Sequence, residues 1–137
     1  MPGIVKVDAL GAGVDDIKPF TGTNNKNFNR LAALPYPSAV AINGYAMGGG
    51  LECCLACDFR VMSAAAKIGL PETKLGIVPG FGGTQNMARL TGLPTALDLI
   101  LAGKLLKPKP AKKKGLIDRI APSAKLLQIA RQECEKL

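Results

Sequence analysis

Apolar residues along this chain gather into short runs separated by glycine and proline rather than into one long stripe. The clearest strand signal is Ala39-Val40-Ala41-Ile42, opened by Pro37-Ser38 and apolar at every position. A run apolar on both faces is expected of a strand in a parallel sheet covered from both sides. Asn43-Gly44 turns the chain, Gly48-Gly49-Gly50 follows, and Leu51 to Cys57 reads as a helix. Asp58 to Met62 alternates and predicts a second strand, and Lys67-Ile68-Gly69-Leu70 a third. Pro71-Glu72-Thr73 reads as a turn or a single helical turn. Pro79-Gly80-Phe81-Gly82-Gly83 is a glycine loop, with Thr84 placed to cap a helix through Leu90. Gly92-Leu93-Pro94-Thr95 opens another helix, with Ala96, Leu97, Ile100 and Leu101 as its expected apolar face and Gly103 as its end. Pro110 to Lys114 predicts a short basic helix stopped by Gly115. Leu116-Ile117 with Ile120 predicts a last strand, and Ser123 to Leu137 a final helix.

Residues 1–30 carry less pattern. Ile4-Val5-Lys6-Val7 is a short strand candidate, and Gly11-Ala12-Gly13 is a flexible turn before Val14-Asp15-Asp16-Ile17. Thr21 to Asn29, rich in Thr and Asn, reads as a loop, and Leu31 to Leu34 as the end of a helix that Pro35 stops. β and α signals alternate without an internal repeat or a linker, so one α/β domain over residues 1–137 is expected.

Composition narrows the chemistry. Lys plus Arg number 18 against 10 acidic residues, a net charge of +8, which suits an anionic partner. The chain has no His, which removes a His-based triad, a His general base and most catalytic zinc sites. It has no Trp and six Phe or Tyr, a poor stacking platform for single-stranded nucleic acid. Cys53, Cys54 and Cys57 crowd one helical stretch, Cys134 stands apart, and no second cysteine pair or His completes a metal-ligand pattern. They read as small hydrophobes in a reducing compartment, and no metal is expected. The longest uncharged run, Leu31 to Leu51, could span a bilayer by length, but Pro35, Pro37, Asn43, Gly44 and three successive glycines would break a lipid-facing helix. A soluble protein without a membrane partner is the expectation.

No P-loop is present, and Gly11-Ala12-Gly13 lacks the third glycine of a dinucleotide fingerprint, since Asp16 stands there. Gly48-Gly49-Gly50 alone is also what a tight turn with close helix packing requires. Two glutamates sharpen it: Glu52 falls in the first turn of the helix after the triple glycine, and Glu72 follows Pro71 ahead of a second glycine segment. Carboxyl groups in a glycine-walled, apolar site can be raised in pKa and divide acid and base roles on one substrate. Structurally, Glu52 can equally serve as a favourable charge near a helix N-terminus, and Glu72 as a surface turn residue.

Asn43-Gly44-Tyr45-Ala46-Met47-Gly48-Gly49-Gly50-Leu51-Glu52, with Ala56-Cys57-Asp58-Phe59-Arg60 after it, resembles the signature of the crotonase superfamily of enoyl-CoA hydratases and isomerases. Gly69-Leu70-Pro71-Glu72 through Pro79-Gly80-Phe81-Gly82-Gly83-Thr84-Gln85 is similar to the second block of that family, in wording closest to the hydratase part of bacterial fatty-acid-oxidation multifunctional enzymes. Leu101-Ala102-Gly103-Lys104 and Gly115-Leu116-Ile117-Asp118 continue the pattern. The resemblance covers residues 35–122, with 1–34 poorly matched and 123–137 a C-terminal helix. It implies a crotonase-like ββα spiral core with C-terminal helices, N-terminally short beside the family.

The implied chemistry is hydration of a trans-2-enoyl-CoA thioester through an enolate, with two backbone N–H groups as the oxyanion hole. By resemblance one donor is Gly49. The other falls in Ala12-Gly13-Val14-Asp15-Asp16-Ile17, one residue longer than the family motif, so that counting from one side gives Val14 and from the other Asp15. Glu52 is implied to activate water for C3 and Glu72 to deliver a proton to C2, while Ala12, Gly13, Asp16, Ile17, Gly48, Pro71 and Gly80 line the substrate. A family isomerase usually keeps the second acid and lacks the first. No cofactor is expected, since coenzyme A is part of the substrate. The family assembles trimers and hexamers, so a homotrimer or hexamer is expected, in a bacterial cytoplasm or, in a eukaryote, the mitochondrial matrix. The run Lys107 to Lys114 reads as a solvated face, a steering field for the phosphates of CoA, or an RNA contact, the last not expected.

Overall fold

The computed structural model describes Gly22 and residues 25–137. Helix α1 covers residues 25–32, followed by β1 (Ala39–Ile42), β2 (Tyr45–Met47), α2 (Gly49–Leu55), β3 (Phe59–Ser63) and β4 (Lys67–Gly69). A 3-10 turn (Glu72–Leu75) precedes α3 (Gly83–Thr91) and α4 (Leu93–Leu101). Then come β5 (Leu105–Leu106), α5 (Pro108–Lys113), β6 (Arg119–Ala121), a 3-10 turn (Ser123–Lys125) and α6 (Leu126–Cys134).

The strands form two three-stranded sheets, in the orders β1-β3-β6 and β2-β4-β5. The first is parallel, with Ala39 opposite Phe59, Ile42 opposite Met62 and Ser63 opposite Ala121. In the second, β2 and β4 run parallel and β5 runs antiparallel to β4, bringing Gly69 opposite Leu105. Twice the chain gives a strand to the first sheet, then one to the second, then turns into helix. This is the ββα spiral that the sequence implied.

Strand alternation explains the two apolar faces of the first sheet. Val40, Ile42 and Met62 join the main core with Leu51, Ile68, Leu70, Met87, Leu99 and Leu116. Ala39, Ala41 and Val61 turn the other way, onto Leu126 and Ala130 of α6. Two-sided packing of β1 is therefore present, although only Ile42 of its four residues is buried. Among the described residues β3 is the sole strand neighbour of β1. The cysteines are free thiols: Cys54 is buried and the other three half-buried. Burial pushes Cys54 up to about 12, and burial likewise lifts Cys57 to about 11, so neither is a reactive thiolate at neutral pH.

Several expectations are corrected. Residues 25–29, expected in a loop, are helical, because tertiary contact outweighs weak propensity. Thr84 does not cap α3: Gly82 stands at the N-cap without a side-chain bond, and the helix begins at Gly83. On α4 the buried face is Ala96, Leu99 and Ile100, whereas Leu97 and Leu101 are 46% and 69% exposed. α4 packs on α3 and on the Glu72–Leu75 turn, and that arrangement selects the face. Leu116 and Ile117 are buried but not a strand. Asp118 pairs with Arg60 first, its Oδ2 accepting the Arg60 amide at 2.7 Å and its own amide donating to the Arg60 carbonyl at 3.0 Å. The expected strand Ile4 to Val7 and the turn and motif at residues 11–17 lie outside the described residues. Among the described residues no helix is long and apolar enough to cross a membrane.

Candidate active site

The two glutamates come from separate elements and meet around the glycine turns. Gly48 stands at the N-cap of α2 with φ +56° and ψ −128°, a left-handed conformation that glycine adopts without strain. Its amide is tied to the Gly69 carbonyl at 3.0 Å, which ties the start of α2 to the end of β4. The Gly49 N–H lies in the first helical turn, where no intrahelical carbonyl can reach it.

One turn further on, Glu52 is 1% exposed, a carboxyl almost wholly within the core. Its Oε1 accepts hydrogen bonds from the Phe81 amide at 2.8 Å and the Gly83 amide at 2.9 Å. The second of these bonds supplies what Thr84 was expected to supply: the first amide of α3, that of Gly83, ends on a carboxylate from α2, and the Phe81 amide just ahead of the N-cap joins it. Gly83 is packed so closely that an added Cβ would lie 2.7 Å from Glu52 Oε1, 2.8 Å from its Cγ and 3.0 Å from Leu70 Cδ1. Burial raises the Glu52 carboxyl above its ordinary value, and the Gly83 and Phe81 amides oppose the rise by favouring the anion.

Glu72 opens the 3-10 turn after Pro71, which adopts φ −86° and ψ 12°. Its Oε1 lies 3.1 Å from where a Cβ on Gly48 would stand. Its Oε2 is buried without a hydrogen-bond partner among the described residues. Burial raises this carboxyl, its own backbone amide lowers it by less, and the charge of Glu52 raises it further. The charge of Glu52 is thus felt at Glu72, whose Oε1 lies against Gly48. Glu52 has two donors that suit an anion, and Glu72 has an orphan oxygen that suits the neutral acid.

Of the residues expected from the sequence, Gly48, Gly49, Glu52, Pro71 and Glu72 gather here. Gly80 is exposed, and its carbonyl accepts a 2.8 Å bond from Asn25 Nδ2 of α1. Ala12, Gly13, Val14, Asp15, Asp16 and Ile17 lie outside the described residues. The sequence reading missed the Phe81 and Gly83 amides. The doubled glycine before α3 was their only signal, since one glycine suffices for the turn. It also missed the Phe81 ring, which stands 3.1 Å from a Cβ position on Gly49 and meets Phe28 edge to face, with centroids 5.8 Å apart and planes at 84°. Among the described residues no group of acidic or cysteine side chains is arranged to hold a metal.

Residues 9–137 match the family of enoyl-CoA hydratases and isomerases, and the chain belongs to that family. It is 53% identical over 111 residues to the fatty acid oxidation complex subunit alpha of Vibrio vulnificus, which covers 80% of this chain and 16% of that protein. The corresponding subunit of Vibrio campbellii is 52% identical over the same extent of both proteins. The fold is similar to the crystal structure of enoyl-CoA hydratase from Bacillus anthracis, with a TM-score of 0.88, 38% identity, and 92% of this chain aligned to 49% of that one. It is equally similar to an enoyl-CoA hydratase from Geobacillus kaustophilus, at TM-score 0.88 and 38% identity over 93% of this chain and 49% of the other. The chain therefore spans about half the length of these solved relatives and 16% of the curated ones.

Proposed function

We propose that the chain carries an enoyl-CoA hydratase site, adding water across the 2,3 double bond of trans-2-enoyl-CoA thioesters in fatty-acid oxidation. The observation that carries this reading is the pair Glu52 and Glu72, both raised by burial, with Glu72 against Gly48 at the start of α2 and Glu52 on that same helix, held by the Phe81 and Gly83 amides. In this reading the thioester oxygen accepts from the Gly49 N–H, with Val14 or Asp15 as the second donor, and becomes the enolate oxygen as charge develops. Glu52, held as an anion by Phe81 and Gly83, takes a proton from water as the water oxygen bonds to C3. Glu72 gives its proton to C2, which a neutral acid with an orphan oxygen is suited to do. Glu52 then loses its proton and Glu72 regains one by exchange with solvent, so the net change is one water added to the enoyl thioester and the reaction needs no cofactor.

The same reading includes self-association into a trimer or hexamer. It is supported by exposed Leu75, which closes the Glu72 turn, and Ile77 and Val78 after it, together with exposed Leu97 and Leu101 on α4, the helix packed against that turn. The test is loss of the enoyl absorbance of crotonyl-CoA on mixing with the purified chain, with sedimentation at micromolar concentration alongside. Turnover by an oligomer is expected. A chain that binds crotonyl-CoA but leaves it unhydrated would replace the hydratase reading with a non-catalytic acyl-CoA-binding one.

A further inference from the structure

Phe81 contributes to the site twice. Its amide holds Glu52 Oε1 at 2.8 Å, while its ring carbons Cδ2 and Cε2 approach within 3.1 Å of a Cβ position on Gly49. Phe28 of α1 packs on the same ring edge to face, with centroids 5.8 Å apart. The Asn25 side chain fastens the same helix to the neighbouring Gly80 carbonyl at 2.8 Å. The edge of an aromatic ring, backed by a second ring, thus flanks the glycine whose N–H is the proposed thioester donor.

A carbonyl oxygen bonded to that N–H places C2 of an acyl group no more than about 5.5 Å from the Gly49 nitrogen. The carbonyl carbon carries sulfur on one side and C2 on the other. C2 and C3 must reach the carboxylates, and Glu52 Oε1 lies 2.8 Å from the Phe81 amide, so an acyl chain held by the Gly49 N–H and extending toward Glu52 runs beside Phe81. We propose that Phe81, backed by Phe28, is a specificity-determining residue whose ring excludes substituents at C2 and selects unbranched acyl thioesters. The inference rests on the acyl-CoA reading above. Phe81→Ala tests it cleanly because the substitution keeps the amide that holds Glu52.

The experiment is calorimetric titration of the wild-type chain, Phe81→Ala and Phe28→Ala with butyryl-CoA and with isobutyryl-CoA, which have equal carbon counts and differ in the branch at C2. Wild type is expected to bind butyryl-CoA about tenfold or more tightly, the scale on which a pocket discriminates one misplaced methyl. Phe81→Ala should reduce that ratio to about threefold or less, and Phe28→Ala should move it part of the way. If Phe81→Ala gives no cooperative melt, Phe81→Leu and Phe28→Ala carry the same comparison. Wild type binding both thioesters equally, or an unchanged ratio in folded variants, overturns the proposal and leaves the acyl-CoA reading standing. Binding of neither thioester to wild type overturns both.

Discussion

The turn at Gly48-Gly49-Gly50 and the turn at Gly80-Phe81-Gly82-Gly83 each deliver the chain into a helix through a left-handed glycine, Gly48 at φ +56° and Gly82 at φ +93°. Their amides go to different places. The second turn points its Phe81 and Gly83 N–H groups inward, onto a carboxylate that grows from the first turn's own helix. Among the described residues the first turn has no such carboxylate on Gly49: Glu52 is already engaged, and Glu72 stands against Gly48. A glycine-rich helix start supplies amides, and the nearest buried carboxylate decides whether they serve the protein or are left for a ligand. That division underlies the proposed chemistry, with one turn setting the base and the other meeting the thioester oxygen.

The largest expected effect separates donation from shape at Gly49. Gly49 is the first helical position, where proline is accommodated because its missing N–H has no helical partner. Both Gly49→Pro and Gly49→Ala place a Cβ 3.1 Å from the Phe81 ring, and only the first removes the N–H, so with a cooperative melt in both, Gly49→Pro should lose detectable crotonyl-CoA hydration while Gly49→Ala retains measurable turnover. Equal activity in the two variants would erase the distinction between the turns. Next in size is Gly83→Ala, whose Cβ meets Glu52 at 2.7 Å and Leu70 at 3.0 Å. It should lower kcat by about 10² or more and stability by about 1–3 kcal/mol in urea titration.

A smaller effect follows from the raised carboxyl of Glu72. A raised folded-state value means that the folded chain holds the proton more tightly than the unfolded chain. The stabilisation from that proton is present below the ordinary carboxyl value of 4.5 and is lost as pH rises through and beyond it. Glu72→Gln, neutral throughout, should melt with wild type at pH 4 and about 2–4 °C above it at pH 8, read by circular dichroism. The opposite order would contradict the burial of an unpaired carboxylate. The smallest effect is at Gly50, where an added Cβ has open space. Gly50→Ala should leave turnover near wild type and stabilise α2 by about 0.5–1 kcal/mol.

β1 was legible because four apolar residues stand between Pro37-Ser38 and Asn43-Gly44, and α2 because the triple glycine can only lead into a new element. β2 and β5, three and two residues long, are too short for any period to show. The apolar pattern of α4 admitted two faces, and only packing against α3 chose between them. Glu52 and Glu72 were both legible as carboxylates beside glycines. What spacing cannot show is that Glu52 Oε1 is held by amides 29 and 31 residues away, or that an aromatic ring closes over Gly49. Those are properties of the folded turns, not of the local sequence.

The division of labour between the turns is tested most directly by steady-state hydration of crotonyl-CoA by wild type, Glu52→Gln and Glu72→Gln, with binding of butyryl-CoA measured on the same samples. Each substitution should lower kcat by at least about 10², the scale of a lost general acid or base, and leave the dissociation constant within a few-fold of wild type. Wild-type turnover that persists unchanged in either variant would contradict the assignment of these carboxylates to the chemistry.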